Sequence, residues 1–187
     1  ATTNAFQNPS SSIIIAKYQG LLPDLLMSPL TAMEKTLGYL LGGVIRGVLV
    51  TVLIFLVAAF FVPDFLPQHW LALLAITFLA SGTFSLMGTL VGIWGKTFDG
   101  VAGFTTFIIT PMAFLGGVFY SIHALPELAR TLSHANPFFY YVDAMRWAFF
   151  GVSDIDPAVS YSVALGFFVF FFVCTYIAFA TDWRMKA

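Results

Sequence analysis

The sequence predicts an all-α membrane protein, a polytopic bundle of transmembrane helices with four spans. The mean hydropathy is +0.91, 59% of the residues are hydrophobic and only 9% are charged. A soluble domain carries about 25% charged residues, so this chain has too few polar groups to present a water-facing surface all round. Its 187 residues leave room for four apolar runs of about 20 residues, the length that crosses a bilayer.

The N-terminal part is predicted to be a cytoplasmic arm, residues 1–35, in front of a transmembrane domain, residues 36–187. Because the first residue is not methionine, we expect the chain to be the C-terminal part of a longer protein. Asn8–Ser12 has the composition of a turn. From Lys17 to Met27 polar side chains alternate with leucines, which favours a short amphipathic helix.

The first span follows a long helical pattern. Ser28 and Pro29 are typical of a helix start, with a hydroxyl at the N-cap and proline at the first helical position. The pattern continues to about Val62, or roughly 50 Å, whereas the hydrocarbon core is about 30 Å thick. The first turns, which include Glu34, must therefore project from the membrane, and the span itself is predicted at residues 42–62.

Three further spans are predicted from the apolar runs that follow. They cover residues 70–94, 101–121 and 158–181. A polar turn at residues 95–100 separates the 70–94 span from the 101–121 span. Pro111 predicts a kink in the middle of the 101–121 span, since proline interrupts the helical hydrogen bonds.

The long loop at residues 122–157 is predicted to hold two short outer helices. Leu125 and Pro126 begin the first. Asn136 and Pro137 begin the second, which ends just before Gly151. At about 14 residues, or roughly 21 Å, this apolar helix is too short to cross the membrane, so we expect a re-entrant or interfacial helix.

The distribution of basic residues predicts the orientation. The side that holds the N-terminal arm, the 95–100 turn and the C-terminus carries Lys17, Lys35, Lys96, Arg184 and Lys186. The opposite side carries Arg130 and Arg146. The positive-inside rule therefore places both ends of the chain in the cytoplasm and the 122–157 loop outside.

Small residues and one arginine mark the start of the first span. Gly43 and Gly47 are four residues apart, a spacing that lets helices approach closely. A second stripe lies in the 70–94 span, at Ser81, Ser85, Gly88 and Gly92. Packing within the chain and a dimer seam both remain open. Arg46 is expected one turn inside the inner leaflet, where it either snorkels, pairs with another group or lines a pathway.

Other polar residues predict no catalytic, cofactor or metal site. Asp143 and Arg146 lie three residues apart and are expected to pair on one helix face, either as a local ion pair or at an outer gate. The histidines, at positions 69, 123 and 134, lack metal-ligand spacing. Gly95-Lys96-Thr97 is similar to the end of a phosphate-binding loop, but Leu90 stands where that loop needs glycine. The net charge of −1 suggests no nucleic-acid partner.

The order of these features resembles the membrane subunit of ABC-2 type exporters, a family of bacterial permeases. The stretches that carry the resemblance are Asn4–Gln19, Asp24–Pro29, Gly42-Gly43 with Arg46-Gly47, Lys96–Asp99, Gly116–Ser121, Leu125-Pro126, and Asn136-Pro137 with Asp143, Arg146 and Gly151. The resemblance implies six spans, of which this chain carries the third to the sixth. It also implies a bacterial inner membrane, a homodimer of permeases and a separate ABC ATPase subunit.

Three sets of residues are candidates for function in such a permease. The ATPase-coupling set is Lys17, Gln19, Leu21, Leu22, Asp24, Leu25 and Pro29. The inner-leaflet packing or lever set is Gly43, Arg46 and Gly47. The outer-gate set is Tyr120, Asn136, Pro137, Asp143 and Arg146.

The functional hypothesis is an export permease that moves an amphiphilic substrate, such as a drug or a lipid-linked or polysaccharide-like molecule, out of the cytoplasm, with membrane lipid as a further partner. Two alternatives remain open. One is a membrane-embedded enzyme acting on lipid, for which Asp143, Arg146 and His134 are the available polar groups. The other is an assembly subunit without transport.

Overall fold

A computed structural model describes residues 2–21, 28–61, 66–95, 97–117, 133 and 136–181. These residues form helices and connecting turns without any strand. The helices are α1 (Thr2–Tyr18), α2 (Ala32–Phe61), α3 (Trp70–Trp94), α4 (Phe98–Leu115), α5 (Pro137–Phe150) and α6 (Pro157–Ala180). The predicted all-α bundle is confirmed.

Four of these helices, α2, α3, α4 and α6, are long and apolar enough to cross a membrane. The most apolar part of α3 is 61% buried, against 11% for α2. The helix α3 is therefore the centre of the bundle, and α1, α2, α5 and α6 pack around it.

Aromatic contacts define the two ends of the bundle. At the end that we call the Lys17 end, Tyr39 of α2 stacks on Phe179 of α6 with ring centroids 5.6 Å apart. At the opposite, Arg146 end, the Phe55 ring lies 5.7 Å from that of Trp70. Because tryptophan favours membrane interfaces, we expect Trp70 and Trp94, at the two ends of α3, to lie near the two membrane boundaries.

The predicted turn at Asn8–Ser12 is wrong, because these residues lie inside α1, which runs parallel to α3 towards the Lys17 end. Phe6 and Ile14 of this helix are fully buried. Pro9 lacks an N–H to donate, but it is itself buried in the contact. Helices in membrane bundles tolerate proline where neighbouring packing supports the backbone, and here tertiary packing outweighs the local turn preference.

The predicted amphipathic helix beginning at Lys17 differs from the structure. Lys17 belongs to the last turn of α1, and Gln19 and Gly20 follow in a turn in which Gly20 has a φ of 68°. Leu21 is exposed and lies outside the helix. The rest of the predicted segment, residues 22–27, lies outside the described residues.

The long helix α2 begins at Ala32 rather than at Pro29. Thr31 and Glu34 form a capping box: the Thr31 N–H donates to Glu34 Oε2 at 2.7 Å, and the Glu34 N–H donates to Thr31 Oγ1 at 3.3 Å. This reciprocal pair satisfies N–H groups that a Ser28 cap was expected to satisfy. The 30 residues of α2 span about 45 Å.

The helix α4 ends at Leu115, six residues before the predicted end of its span. In place of a simple kink, one wide π-helical turn at Thr105–Ile109 precedes Pro111. The Thr110 hydroxyl donates to the Thr105 carbonyl at 3.0 Å. A π-bulge relieves the clash between a proline ring and the preceding turn.

Candidate functional site

The small-residue stripes pack against each other within the chain. A methyl group added at Gly43 would overlap the Ser85 side chain, and one added at Gly47 would overlap Ser81. The two glycines therefore allow the backbones of α2 and α3 to approach closely. The Ser85 hydroxyl, in addition, donates to the Tyr39 carbonyl at 2.7 Å.

The C-terminal half of the second stripe, Gly88 and Gly92, packs against α1. A methyl group at Gly88 would overlap the Phe6 carbonyl, and one at Gly92 would lie 3.0 Å from Ser10 Cα. Because backbone atoms of α1 lie directly against these glycines, a change of side-chain rotamer could not make room for a larger residue. The helix α1 is consequently an integral part of the bundle.

Lys17 fastens α1 to the C-terminal end of α3. Its ammonium donates to the carbonyls of Gly92, Ile93 and Gly95 at 2.9, 2.5 and 2.8 Å. The last carbonyls of a helix lack helical partners and carry partial negative charge, so a cation stabilises them. Partial burial lowers the pKa of the Lys17 ammonium through desolvation. The partners are 75 to 78 residues away, so no local sequence signal indicates this contact.

Arg46 lies deeper in the bundle than the sequence suggests. Its neighbour Gly47 packs on Ser81, near the midpoint of α3. Arg46 is exposed on the surface of this chain, and its Nη1 donates to Asn8 Oδ1 at 3.1 Å. It borders a cavity of about 370 Å³ whose other lining residues are Asn4, Gln7, Asn8, Ser11, Ser12 and Ile15.

The helix α5 has the predicted bounds, with Asn136 at its N-cap, Pro137 in its first turn and Gly151 at its left-handed C-cap. The Phe138 N–H donates to Asn136 Oδ1 at 3.0 Å. Asn136 Nδ2 donates to the Met112 carbonyl of α4 at 2.6 Å. One side chain therefore both caps α5 and ties it to α4.

Substitutions at Asn136 should separate these two roles. Asn136→Ala removes the cap and the bond to Met112, and we expect it to lower the free energy of unfolding by about 2 kcal/mol. Asn136→Ser keeps a cap acceptor but is too short to reach the Met112 carbonyl, so about half of that loss is expected. Thermal unfolding of the purified protein in detergent measures both. Equal stability of the alanine variant and the wild type would contradict the assigned contacts.

The predicted pairing of Asp143 with Arg146 is wrong. Arg146 Nη1 forms an ion pair with Asp154 at 2.6 Å, and its Nη2 donates to the Gly117 carbonyl at 2.9 Å. Residues 151–156 return along α5, and this brings Asp154 to the arginine. A spacing of three on one helix allows a pair, but the tertiary fold supplies a better partner.

Asp143 is fully buried and organises the connection between α5 and α6. Its Oδ2 accepts hydrogen bonds from the Ser153 and Ser160 hydroxyls, both at 2.8 Å. Its Oδ1 accepts from the Asp154 N–H at 2.7 Å. The carboxylate therefore replaces its lost hydration with three donors, as a buried polar group requires.

Tyr141, which the sequence analysis does not single out, links three helices. Its hydroxyl donates to Thr83 Oγ1 of α3 at 2.8 Å and lies 3.3 Å from the Ala164 carbonyl of α6. A tyrosine within an aromatic run carries no signal that distinguishes this role from that of an interfacial residue.

Two apolar cavities open on the sides of the bundle. One of about 400 Å³ lies beside α5 and includes Phe84, Phe138, Tyr141, Met145 and Arg146 in its lining. Another of about 620 Å³ lies between α3 and α6 near the Lys17 end, lined in part by Leu90, Trp94, Phe170 and Cys174. Both cavities suit hydrocarbon or aromatic groups. The cavity beside α5 is also lined by the guanidinium of Arg146.

The structure places the predicted site residues at different levels. Lys17, Gln19, Leu21 and Pro29 lie at or just beyond the Lys17 end, whereas Asn136, Pro137, Asp143 and Arg146 belong to α5. Leu22, Asp24, Leu25 and Tyr120 lie outside the described residues. In the part of the chain that the structure describes, no three His, Cys, Asp or Glu residues are grouped to hold a metal ion.

Comparisons with known proteins agree with this architecture. The model of the family described as ABC-2 type transporter matches residues 1–150, which include α1 to α5. The inner membrane transport permease YadH of Escherichia coli K12 is 38% identical over 173 residues, or 92% of this chain and 67% of that relative. The proteins of that name in Escherichia coli O157:H7 and Shigella flexneri match to the same extent. No solved structure matches the chain. The chain is a multi-pass membrane subunit of a transporter, and it belongs to the ABC-2 type transporter family.

Proposed function

We propose that this chain is the permease of an ATP-driven exporter in a bacterial inner membrane. It works as a homodimer with a separate ABC ATPase subunit and moves an amphiphilic substrate out of the cytoplasm. Membership of the ABC-2 type transporter family supports this proposal, as does the similarity to a protein named as an inner membrane transport permease. The absence of a phosphate-binding motif in the sequence agrees with ATP hydrolysis on another chain.

The observation that carries the proposal is the arrangement at the Lys17 end. There the chain leaves α1 at Tyr18 and enters α2 at Ala32, while Lys17 holds α1 against the end of α3. A partner that pressed on the connecting residues 19–31 would move α1 and α2 together. The ATPase-coupling set falls in this region, and α2, about 45 Å long, is our candidate lever.

The basic residues support a cytoplasmic position for the Lys17 end. Lys17 and Lys35 lie at this end, and Lys96 directly follows α3 in the sequence. The positive-inside rule favours the cytoplasm for such a cluster. The end that carries Arg146 then faces outward.

The outer helix α5 is our candidate gate. Asn136 joins it to α4 through the Met112 carbonyl, and Asp143 joins it to α6 through Ser160. A shift of α4 relative to α6 would therefore pull on α5 at its N-terminal end and at its middle. Gating needs an element with two discrete arrangements, and α5 is a short helix whose polar contacts to α3, α4 and α6 would have to exchange together.

A cysteine in the connection tests the coupling. We expect Leu21→Cys, in a Cys174→Ser background, to cross-link to an ABC ATPase that co-purifies with the permease. Leu53→Cys on the exposed face of α2 serves as the control and should not cross-link. Labelling of Leu21→Cys only from the periplasmic side would overturn the orientation. Lipid turnover by the purified chain alone would favour the enzyme alternative.

Substitution of Lys17 tests whether its contact transmits the motion. Lys17→Gln removes the charge from three hydrogen bonds, each of which is stronger with a charged donor. We expect several-fold weaker stimulation of the bound ATPase by substrate, with co-purification retained. Lys17→Arg keeps the charge and should preserve most of the stimulation. Equal stimulation in all three proteins would show that the contact is structural only.

A further inference from the structure

A polar cavity on the outside of the bundle is left unexplained by gating or coupling. It lies between α1 and Arg46 of α2 and measures about 370 Å³. Five of the six α1 residues that line it are amides or hydroxyls: Asn4, Gln7, Asn8, Ser11 and Ser12. We call it the Arg46 groove.

The Arg46 groove lies at the depth of the membrane centre. Gly47 packs on Ser81, and Ser81 is about 17 Å from Trp70 and about 20 Å from Trp94 along α3. Ala5 of α1 also contacts Gly47, and it precedes Lys17 by twelve residues, or about 18 Å. Since the hydrocarbon core is about 30 Å thick, neither end of the bundle is within reach of the Arg46 side chain.

A guanidinium at this depth is strongly disfavoured next to acyl chains. Arg46 is nevertheless exposed on the surface of this chain. Amides and hydroxyls of α1 share this surface, and polar groups in membranes face water, protein or a polar ligand. The Arg46 groove is therefore not a lipid-facing surface of the ordinary apolar kind.

The donors of Arg46 are largely free to bind a ligand. A guanidinium has five N–H donors, and among the described residues one hydrogen bond is formed, to Asn8 Oδ1. The described residues of a second copy offer no carboxylate at this depth. Their acidic side chains lie near the ends of helices, in α5 or in the turn that follows it: Glu34, Asp99, Asp143, Asp154 and Asp156.

We propose that the Arg46 groove is a water-accessible site that binds a phosphate group, with Arg46 as the anion-binding residue. A planar guanidinium forms bidentate, charge-assisted bonds with phosphate, and the neighbouring amides and hydroxyls can donate to the remaining oxygens. The phosphate belongs either to a soluble phosphate ester or to a lipid headgroup. Phosphate binding itself does not depend on the proposed function. Only its biological role does: in an exporter, the groove would bind the charged part of the amphiphilic substrate.

Charged thiol reagents test access to the site. The full chain with Cys174→Ser and Asn4→Cys is placed in nanodiscs of pure phosphatidylcholine, without an ATPase. We expect its thiol to react about tenfold faster with a sulfonate-bearing methanethiosulfonate than with a trimethylammonium-bearing one, because Arg46 attracts the anion. Leu49→Cys, at a similar depth on the apolar face of α2, is the matched control and should react with neither.

Arg46→Gln should abolish the preference for the anionic reagent, and Arg46→Lys should keep it. Inorganic phosphate in the buffer should slow the reaction at Asn4→Cys if the site takes soluble phosphates. Phosphatidic acid in the nanodisc should slow it if the site takes lipid headgroups. Either protection must disappear in Arg46→Gln.

Three results would overturn the proposal. The first is an Asn4→Cys thiol as unreactive as Leu49→Cys, which would mean that protein or lipid covers the groove. The second is a reaction without any charge preference. The third is that neither inorganic phosphate nor phosphatidic acid slows the reaction at Asn4→Cys. Because the measurement involves neither ATP nor transport, a failure here is distinct from a failure of the proposed export function.

Discussion

Replacing Asp143 by alanine is expected to lower the free energy of unfolding by about 4 kcal/mol. The substitution leaves the Ser160 hydroxyl and the Asp154 N–H without their acceptor, whereas the Ser153 hydroxyl can still donate to the Ile155 carbonyl. Asp143 is fully buried, and each buried donor left unsatisfied costs about 1–3 kcal/mol. Unfolding of the purified protein in mixed detergent micelles measures the loss.

Two further variants control this measurement. Asp143→Asn keeps the shape and one acceptor oxygen, so an intermediate loss is expected. Asp156→Asn also removes a carboxylate, but Asp156 is the N-cap of α6, accepting from the Ala158 N–H, and asparagine caps equally well. It should therefore be nearly neutral. A stable Asp143→Ala protein would show that the connection between α5 and α6 does not depend on this carboxylate.

Replacing Gly88 by alanine is expected to destabilise the bundle by about 2 kcal/mol or more. The added methyl group would overlap the Phe6 carbonyl, and a backbone atom cannot move away by changing a rotamer. The helices α1 and α3 must then separate along their contact. The higher helix propensity of alanine, worth up to about 1 kcal/mol, offsets only part of this cost.

Glycines in open positions provide the control for Gly88→Ala. A methyl group at Gly103 or Gly166 meets nothing within 4 Å, so alanine there should be neutral or slightly stabilising. Gly43→Ala offers a second comparison because it would overlap the Ser85 side chain instead. Ser85→Gly should relieve that overlap in the double variant. Equal losses of unfolding free energy in Gly88→Ala and Gly103→Ala would contradict the close approach of α1 and α3.

Much of the fold follows from patterns that are local in the sequence. Asn136, Pro137 and Gly151 predict both ends of α5, because capping and the left-handed C-cap depend on adjacent residues. The start of α2 is also local. Thr31 and Glu34 form a capping box that is recognisable in the sequence, whereas Ser28 and Pro29 predict a helix start three residues too early.

Other contacts have no counterpart in local sequence. Pro9 and the serines beside it favour a turn, but burial of α1 against Gly88 and Gly92 keeps them helical. Lys17 finds its carbonyl partners across the bundle. The depth of Arg46 similarly depends on which part of α3 lies beside it. The spacing of glycines within α2 does not define this register between α2 and α3.

The amino-acid sequence alone specified a bundle of membrane helices, since apolar runs of this length and the cost of unsatisfied backbone groups in lipid permit little else. It also determined the ends of α5. The polar contacts became known from the packed helices: Arg146 pairs with Asp154, and Asp143 accepts from Ser153 and Ser160. The physical reason is that a buried charge takes whichever donors or acceptors the packed helices and returning loops bring within hydrogen-bond distance.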